Sequence, residues 1–111
     1  HDGKVPDKME DLLALPLVGR KTANCVLAYG FGKEGLCVDT HVHRISNRLG
    51  WVRTRHADET EMELRRIVPI DLWCELNSIM VRFGQGTCLP QRPRCRTCPV
   101  KEDCDFGSNH P

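Results

Sequence analysis

"LPLVGRKTAN", residues 15–24, is the stretch that decides the fold, because it marks a tight turn between two helical patterns. Pro16 and Gly19 interrupt the first pattern, and Arg20 and Lys21 stand at the start of the second. A helix N-terminus is the positive end of the backbone dipole, so it disfavours cations and binds anions. An ordinary helix–helix turn is the commoner meaning of a Pro-x-x-Gly pattern, but two cations at a helix start predict that an anion binds here.

Beyond this stretch, apolar residues recur at helical spacing, and none alternates for long enough to predict a strand. The sequence predicts five short helices, so the expected fold class is all-α. The first helix follows Asp7, with Glu10 as its capping partner, and the second runs from about Arg20 to Tyr29. The third begins near Thr40, and the fourth follows Asp58, with Glu61 as its capping partner, and ends before Pro69. The fifth runs from Asp71 to about Phe83. The last is expected to bury Leu72, Leu76, Ile79, Met80 and Phe83.

The length of 111 residues indicates one domain or a piece of one. The net charge is only +1, yet residues 19–55 hold seven Lys or Arg against two acids, and residues 56–87 hold six acids against three bases. A solvated face would explain a basic stretch, but beside a glycine turn this charge also suits a phosphate partner. With no apolar run of membrane length and no secretory signal, the sequence favours an intracellular protein without a membrane partner.

The seven cysteines fall into two groups. Three of them, Cys25, Cys37 and Cys74, are scattered through helical or apolar surroundings and are expected to be inert packing thiols. The other four form a C-x6-C-x2-C-x5-C pattern of Cys88, Cys95, Cys98 and Cys104. Disulfides among the four are disfavoured without an export signal, so this pattern predicts a metal centre. Its spacing leaves zinc and a [4Fe–4S] cluster equally open.

The hairpin, the stretch "VDTHVHR" at residues 38–44 and the terminal cysteines together resemble the endonuclease III family of helix-hairpin-helix DNA glycosylases. The resemblance runs in order from His1 to Cys104. It implies the C-terminal half of such a protein, in agreement with a first residue that is not Met. Residues 1–34 would then form the helix-hairpin-helix part of an incomplete six-helix domain, 35–87 the helices of a cluster domain, 88–104 an iron–sulfur cluster loop and 105–111 a tail. The absent N-terminal half would pack on residues 8–30, and the faces of Leu12, Leu13, Val26 and Leu27 are expected to lack part of their cover.

The resemblance also implies a reaction in base excision repair. Lys21 matches the lysine that attacks C1′ of a damaged nucleotide, expels the base and forms a Schiff base that permits β-elimination. The helix dipole and the neighbouring Arg20 both disfavour the charge of this lysine. Asp39 is expected to cap the helix that begins near Thr40 and, by resemblance, to face the lysine and stabilise the developing sugar cation. The expected enzyme is a DNA glycosylase and abasic-site lyase acting on oxidised pyrimidines in double-stranded DNA, with a [4Fe–4S] cluster as its cofactor and zinc as the alternative.

The expected DNA contacts lie in three places. The backbone of the hairpin would hold a phosphate independently of base sequence. The family usually has a glycine where this chain has Leu17. If that position needs positive φ, leucine is strained there and the hairpin is expected to hold the phosphate less closely. The cysteine loop carries arginines that suit the DNA backbone, although a solvated loop would also explain them. The predicted DNA-binding residues are Pro16, Leu17, Val18, Gly19, Arg20, Arg44, Arg92, Arg94 and Arg96.

Two other functions remain open. The chain could be a DNA-binding fragment without catalysis, because the motifs persist while the pocket lacks a wall. It could also be a zinc-bound or redox module. A metal site at His41 and His43 is not expected, because residues two apart on a helix point to different faces.

Overall fold

The computed structural model describes residues 5–16, 18–31 and 34–108, and these ranges contain helices and turns but no strand, which confirms the all-α prediction. Leu17 lies outside the described residues. The helices are α1 (Met9–Leu13), α2 (Arg20–Cys25, continuing as a π turn over Val26–Gly30), α3 (Thr40–Leu49), α4 (Ala57–Ile67), α5 (Trp73–Gly86) and α6 (Asp105–Ser108). Short 3-10 turns occupy Ile70–Leu72, Cys95–Thr97 and Lys101–Asp103. Among the described residues, no helix is both long enough and apolar enough to cross a membrane.

Helix α3 begins where the sequence predicts. The Asp39 carboxylate accepts a hydrogen bond of 2.9 Å from the backbone N–H of Val42, which satisfies one of the free donors of the first turn. The helix ends at Gly50, whose φ of 88° lies in the left-handed region that favours glycine. Asp39 is therefore confirmed as the N-cap of α3.

Two other predicted helix caps are wrong. The N-cap residue of α1 is Lys8 rather than Asp7, and the N-cap of α4 is His56 rather than Asp58, and neither cap makes a side-chain hydrogen bond. Glu61 does not complete a capping box at the start of α4. Its side chain is buried among charged partners of α2 and α4 instead.

The core has two parts. The smaller cluster joins α1 to α2 through Leu12, Ala23 and Leu27. The larger cluster is built by α3, α4 and α5 with the segment that precedes α3. Its buried members are Leu36, Val38, Val42, Ile45, Val52, Leu64, Trp73 and Met80. The two clusters fall on either side of the predicted boundary between residues 34 and 35, which stays a prediction.

The apolar face of α5 is narrower than its sequence pattern predicts. Met80 is buried and Leu76 and Phe83 are partly buried against the larger cluster. Leu72 and Ile79 are 46% and 53% exposed, so their predicted burial is wrong. Leu72 lies in the 3-10 turn before the helix, and α5 presents only one stripe to α3.

The scattered cysteines were predicted to be packing thiols, and this is wrong. Cys25 and Cys37 form a disulfide, with their Cα atoms 5.1 Å apart. Cys74 is an exposed free thiol. The disulfide joins the end of α2 to the segment that leads into α3, so it links the two elements that carry Lys21 and Asp39.

Candidate nucleic-acid interface and cysteine loop

The hairpin between α1 and α2 has an open surface at Gly19. Gly19 is the N-cap of α2 with φ −93° and ψ −178°, a conformation that any residue adopts. A Cβ added to Gly19 would meet nothing within 4 Å. Neither packing nor backbone strain within the described residues therefore requires glycine here. The absence of a side chain leaves the N-terminus of α2 accessible to a ligand from outside.

Lys21 lies exposed in the first turn of α2, beside a shallow apolar depression. Three of the apolar or aromatic residues that line it are exposed, with Val5 at 63%, Tyr29 at 51% and Phe31 at 40%. Exposed apolar surface of this kind is typical of a face that contacts another molecule. The amine therefore stands at the edge of a surface that the described residues leave partly uncovered.

The four leucine and valine side chains that were expected to lack cover divide equally. Leu12 and Leu27 are 1% and 5% exposed, so the described residues bury them and that part of the expectation is wrong. Leu13 and Val26 are only partly buried. Of these two residues, Val26 lines the depression beside Lys21.

Both carboxylate oxygens of Asp39 have protein partners. Oδ1 accepts from the Val42 N–H, and Oδ2 lies 3.1 Å from His41 Nδ1. The side chain of Asp39 is 17% exposed, so it is still accessible from outside. His43 Nδ1 is engaged elsewhere, 2.6 Å from Thr60 Oγ1. The two histidines therefore have different partners, as their spacing on the helix predicts.

Arg20 is engaged with a buried acid. Its Nε and Nη2 donate to Glu61 Oε1 and Oε2 at 2.6 and 3.0 Å. Arg65 Nε donates to the second of these oxygens as well. Burial alone would raise the pKa of Glu61, but the hydrogen bonds and charges of Arg20 and Arg65 outweigh it and lower that pKa. The hydrogen bonds that Arg20 donates to Glu61 likewise raise the pKa of Arg20. The predicted contact of Arg20 with phosphate stays a prediction, and the structure gives the guanidinium an internal partner.

Asn24 completes this cluster and was missed by the sequence analysis. Its side chain is fully buried, and Nδ2 donates to Glu61 Oε1 at 3.0 Å and to the carbonyl of Arg20 at 2.9 Å. Its Oδ1 accepts from the N–H of Leu36 at 3.0 Å and from Arg65 Nη2 at 2.8 Å. A polar residue on the inner face of a predicted helix, with an acid at helical spacing elsewhere, was the only available signal.

Arg44 is partly buried and is engaged with the backbone of other elements. Its Nη2 donates to the carbonyls of Cys88 and Gly84 at 2.9 and 3.3 Å, and its buried Nε has no hydrogen-bond partner among the described residues. Burial, followed by the nearby charge of Arg48, lowers the pKa of Arg44. These contacts attach α3 to the end of α5 and to the cysteine loop. The expected DNA contact of Arg44 stays a prediction.

The four clustered thiols line one cavity between α3, the end of α5 and the C-terminal loop. Each thiol is free and partly buried. Among the described residues, no group of three or more His, Cys, Asp or Glu side chains is placed to hold a metal ion. The structure thus brings the four thiols to one cavity, and this proximity is what it contributes to the predicted metal centre.

Arg48 organises the loop from the side of α3. Its Nη1 donates to Cys88 Sγ at 3.3 Å and to the carbonyl of Leu89 at 2.7 Å. Its guanidinium carbon lies 4.8 Å from the centre of the Phe106 ring. The carbonyl of Arg48 also accepts from Cys104 Sγ at 3.3 Å. Two of the four thiols are thus oriented by one residue.

The arginines of the loop face outward. Arg92, Arg94 and Arg96 are all exposed, and Arg92 has a φ of 53°, in the left-handed region. The backbone N–H of Arg94 donates to the carbonyl of Thr87 at 2.8 Å, which ties the loop to the end of α5. Three exposed cations therefore stand on a loop whose backbone is held in place.

Comparison with known proteins identifies the family. Residues 1–29 match the helix-hairpin-helix motif. The chain is 58% identical over 106 residues to an endonuclease III from Thermotoga maritima and 36% identical over 106 residues to one from Escherichia coli. Each of these matches covers 96% of this chain and 50% of the relative. An endonuclease III-like protein 1 from Bos taurus is 48% identical over 94% of this chain and 35% of its own length.

Solved structures agree with the sequence matches. A non-covalent endonuclease III–DNA complex matches with a TM-score of 0.88 at 40% identity, over 97% of this chain and 51% of that chain. A trapped endonuclease III–DNA covalent intermediate matches with a TM-score of 0.89 at the same identity and coverage. The chain spans about half the length of the two bacterial relatives and of these solved structures, and 35% of the bovine relative. Within that span, it belongs to the endonuclease III family.

Proposed function

We propose that the protein to which this chain contributes is a base excision repair DNA glycosylase with abasic-site lyase activity on oxidised pyrimidines. The observation that carries the proposal is the exposed Lys21 at the accessible start of α2, in a chain whose fold matches an endonuclease III trapped covalently on DNA. A covalent intermediate requires a nucleophile, and an exposed amine beside a phosphate-binding helix start fits that role. Double-stranded DNA with a damaged base or an abasic site is the proposed partner.

The chemistry assigns one role to each of two residues. The neutral amine of Lys21 forms a bond to C1′ while the N-glycosidic bond breaks, and the base departs with that electron pair and takes up a proton. The C1′–O4′ bond then breaks as the lysine nitrogen forms a double bond to C1′, and the ring oxygen takes up a proton. Loss of a C2′ proton from this Schiff base to solvent breaks the C3′–O bond and releases the 3′ phosphate by β-elimination. The Asp39 carboxylate stabilises the cation that develops on the sugar and accepts a proton from the amine. Helix α3 holds that carboxylate in place through the Val42 N–H.

The cysteine loop is proposed to hold a [4Fe–4S] cluster through Cys88, Cys95, Cys98 and Cys104. The arrangement fits the group because all four thiols line one cavity, and hydrogen bonds already reach two of them. When bound, the cluster would cross-link a loop that has little core of its own. Zinc, which also accepts four thiolates, is the alternative ion.

The DNA surface is proposed to combine the hairpin with the loop. Gly19 leaves the N–H groups at the start of α2 open to a phosphate. Arg92, Arg94 and Arg96 add three exposed cations. Contacts of this type position a protein on DNA without reading its sequence, which suits an enzyme that searches for damage. The protein is accordingly proposed to act inside the cell in association with DNA.

Borohydride trapping on abasic-site DNA tests the reaction. A chain of the full length of the relatives is expected to form a covalent adduct, and Lys21→Gln is expected to abolish it with DNA affinity within about threefold. Lys8→Gln, which removes the exposed lysine at the start of α1, is the matched control and should trap normally. Normal trapping by Lys21→Gln would show that another amine is the nucleophile.

For the isolated chain, we propose DNA binding without catalysis. The depression beside Lys21 is open, with Val5, Tyr29 and Phe31 exposed, so little excludes water from the amine. This chain is expected to bind abasic-site DNA in a fluorescence anisotropy assay but to form no adduct. An adduct at the full-length rate would contradict this second proposal.

A further inference from the structure

We propose that Glu61 is a positioning residue for the reaction, because it fixes the helix start that carries Lys21 relative to the segment that leads to Asp39. The inference rests on the proposed function and deepens it. Glu61 lies on α4 and its side chain is only 3% exposed. It accepts hydrogen bonds from three different side chains.

On one side, Glu61 holds the first turn of α2. Arg20, the first residue of this helix, donates from two nitrogens to the two carboxylate oxygens, at 2.6 and 3.0 Å. A planar guanidinium in such a paired contact has both its direction and its rotation fixed. Lys21 is the next residue in the chain, so this contact also fixes the position of the backbone that carries the Lys21 side chain.

On the other side, Glu61 holds the approach to Asp39 through Asn24. Glu61 Oε1 accepts from Asn24 Nδ2 at 3.0 Å, which orients the buried amide. With its nitrogen occupied in this way, the amide presents Oδ1 to the N–H of Leu36 at 3.0 Å. Leu36 lies three residues before Asp39. One carboxylate thus holds both reacting segments in one arrangement.

Stability alone is a poor explanation for such a cluster. Removing a carboxylate from water is costly, and a buried ion pair is often no more stabilising than apolar residues of the same volume. Another ion pair on α4, between Arg66 and Glu63, is 3.6 Å long with side chains that are 76% and 50% exposed, and it touches neither α2 nor the segment before α3 within the described residues. Glu61 differs from Glu63 in what it connects, and this makes Glu63 the natural control.

The catalytic test uses a chain of the full length of the endonuclease III relatives. Glu61→Gln is expected to slow borohydride trapping at saturating abasic-site DNA by about 10-fold or more, because small misplacements of reacting groups cost up to about 100-fold. The Kd for the same DNA should stay within about threefold. Arg20→Lys, which keeps the charge but loses the fork, should slow trapping in the same way if Glu61→Gln does not fold. The double variant should be no slower than Glu61→Gln, and Glu63→Gln should match the unsubstituted protein.

A second measurement separates this inference from the proposed function. In the chain described here, hydrogen exchange at the Leu36 N–H should accelerate in Glu61→Gln relative to Glu63→Gln, whether or not any adduct forms. No adduct with the unsubstituted full-length protein would overturn the proposed function alone. Unchanged trapping in Glu61→Gln or Arg20→Lys would overturn the positioning role, and so would unchanged exchange at Leu36. The role would also be overturned if Arg20→Gln flattened the slope of log DNA affinity against log salt by about 0.9, because that is the effect of a lost phosphate contact.

Discussion

At the scale of single residues, the protein depends on a few side chains whose partners are distant in sequence. Glu61 and Arg20 are 41 positions apart, yet Arg20 Nε lies 2.6 Å from Glu61 Oε1. Gly50 shows the same dependence for the backbone, because its φ of 88° ends α3 where α6 packs. Each of these residues yields a measurable prediction.

Glu61 should make the stability of the protein depend on pH. Its pKa is lowered in the folded state, so its contribution is fully present above the unfolded value of about 4.3 and is lost as the pH falls through the lower folded value. Glu61→Gln should cost about 3 kcal/mol of unfolding free energy at pH 7 and should flatten the acid side of the stability curve. Urea unfolding between pH 3 and pH 7 measures both effects. An equally steep acid limb in the variant would assign it to other carboxylates.

Gly50→Ala should destabilise the contact between α3 and α6. A Cβ at Gly50 would overlap the carboxylate of Asp105, and the positive φ would be strained for alanine. We expect a loss of more than about 1 kcal/mol in thermal or urea unfolding. Gly86→Ala is the matched control, because nothing lies within 4 Å of that position and alanine favours a helix. Equal effects of the two substitutions would contradict the packing argument.

At the scale of elements, two connections fix the proposed site. The Cys25–Cys37 disulfide joins α2 to the segment before α3, and the cysteine loop is attached to α3 through Arg48. Both connections bring elements that are far apart in the chain to the same region.

The disulfide should contribute to stability. Closing a loop between residues 12 apart restricts the unfolded chain, so reduction or Cys37→Ser should cost about 2–4 kcal/mol of unfolding free energy. In unfolded, metal-free protein, five thiols should react with Ellman's reagent before reduction and seven after it. Cys74→Ser should leave the unfolding free energy unchanged, because Cys74 is exposed. Seven reactive thiols in the unreduced protein would rule out the bond.

The loop arginines should contribute to DNA affinity and not to chemistry. Replacement of Arg92, Arg94 and Arg96 by alanine should flatten the slope of log affinity against log salt by at most about 3, since each phosphate contact contributes about 0.9. Single-turnover trapping at saturating DNA should change little in the full-length protein. Arg66→Ala, an exposed arginine on α4, is the control for net charge. An unchanged salt slope would remove the loop from the DNA surface.

At the scale of the whole molecule, the C-terminal part should depend on the proposed cluster. The cavity between α3 and the loop is lined by the four thiols together with Phe106 of α6. Cys98→Ser should therefore disorder residues 88–108 and detach α6, while the helices α3 to α5 keep their larger core. Hydrogen exchange along the chain measures this separation. Protection of α6 equal to that of the unsubstituted protein would show that the loop folds without the cluster.

Local features of the sequence determined the class and much of the proposed site. Apolar spacing and cap chemistry act within a few residues of the chain. They account for the hairpin at residues 15–24, the capping of α3 by Asp39 and the order of the helices. The cysteine pattern likewise predicted where a metal centre would lie, because its ligands are close in sequence. The family resemblance, now confirmed, added the roles of Lys21 and Asp39, which stay proposals.

The tertiary structure decided the pairings that span the chain. No local rule indicated that Glu61 would meet Arg20 and Asn24, that Cys25 would bond to Cys37, or which apolar residues of α5 would be buried. These outcomes depend on how the helices cross, because a buried charge or thiol takes whichever partner the packing brings within reach. The sequence by itself therefore determined which groups are available for chemistry, and only the packing of α2 against α4 and the segment before α3 determined which groups hold them in place.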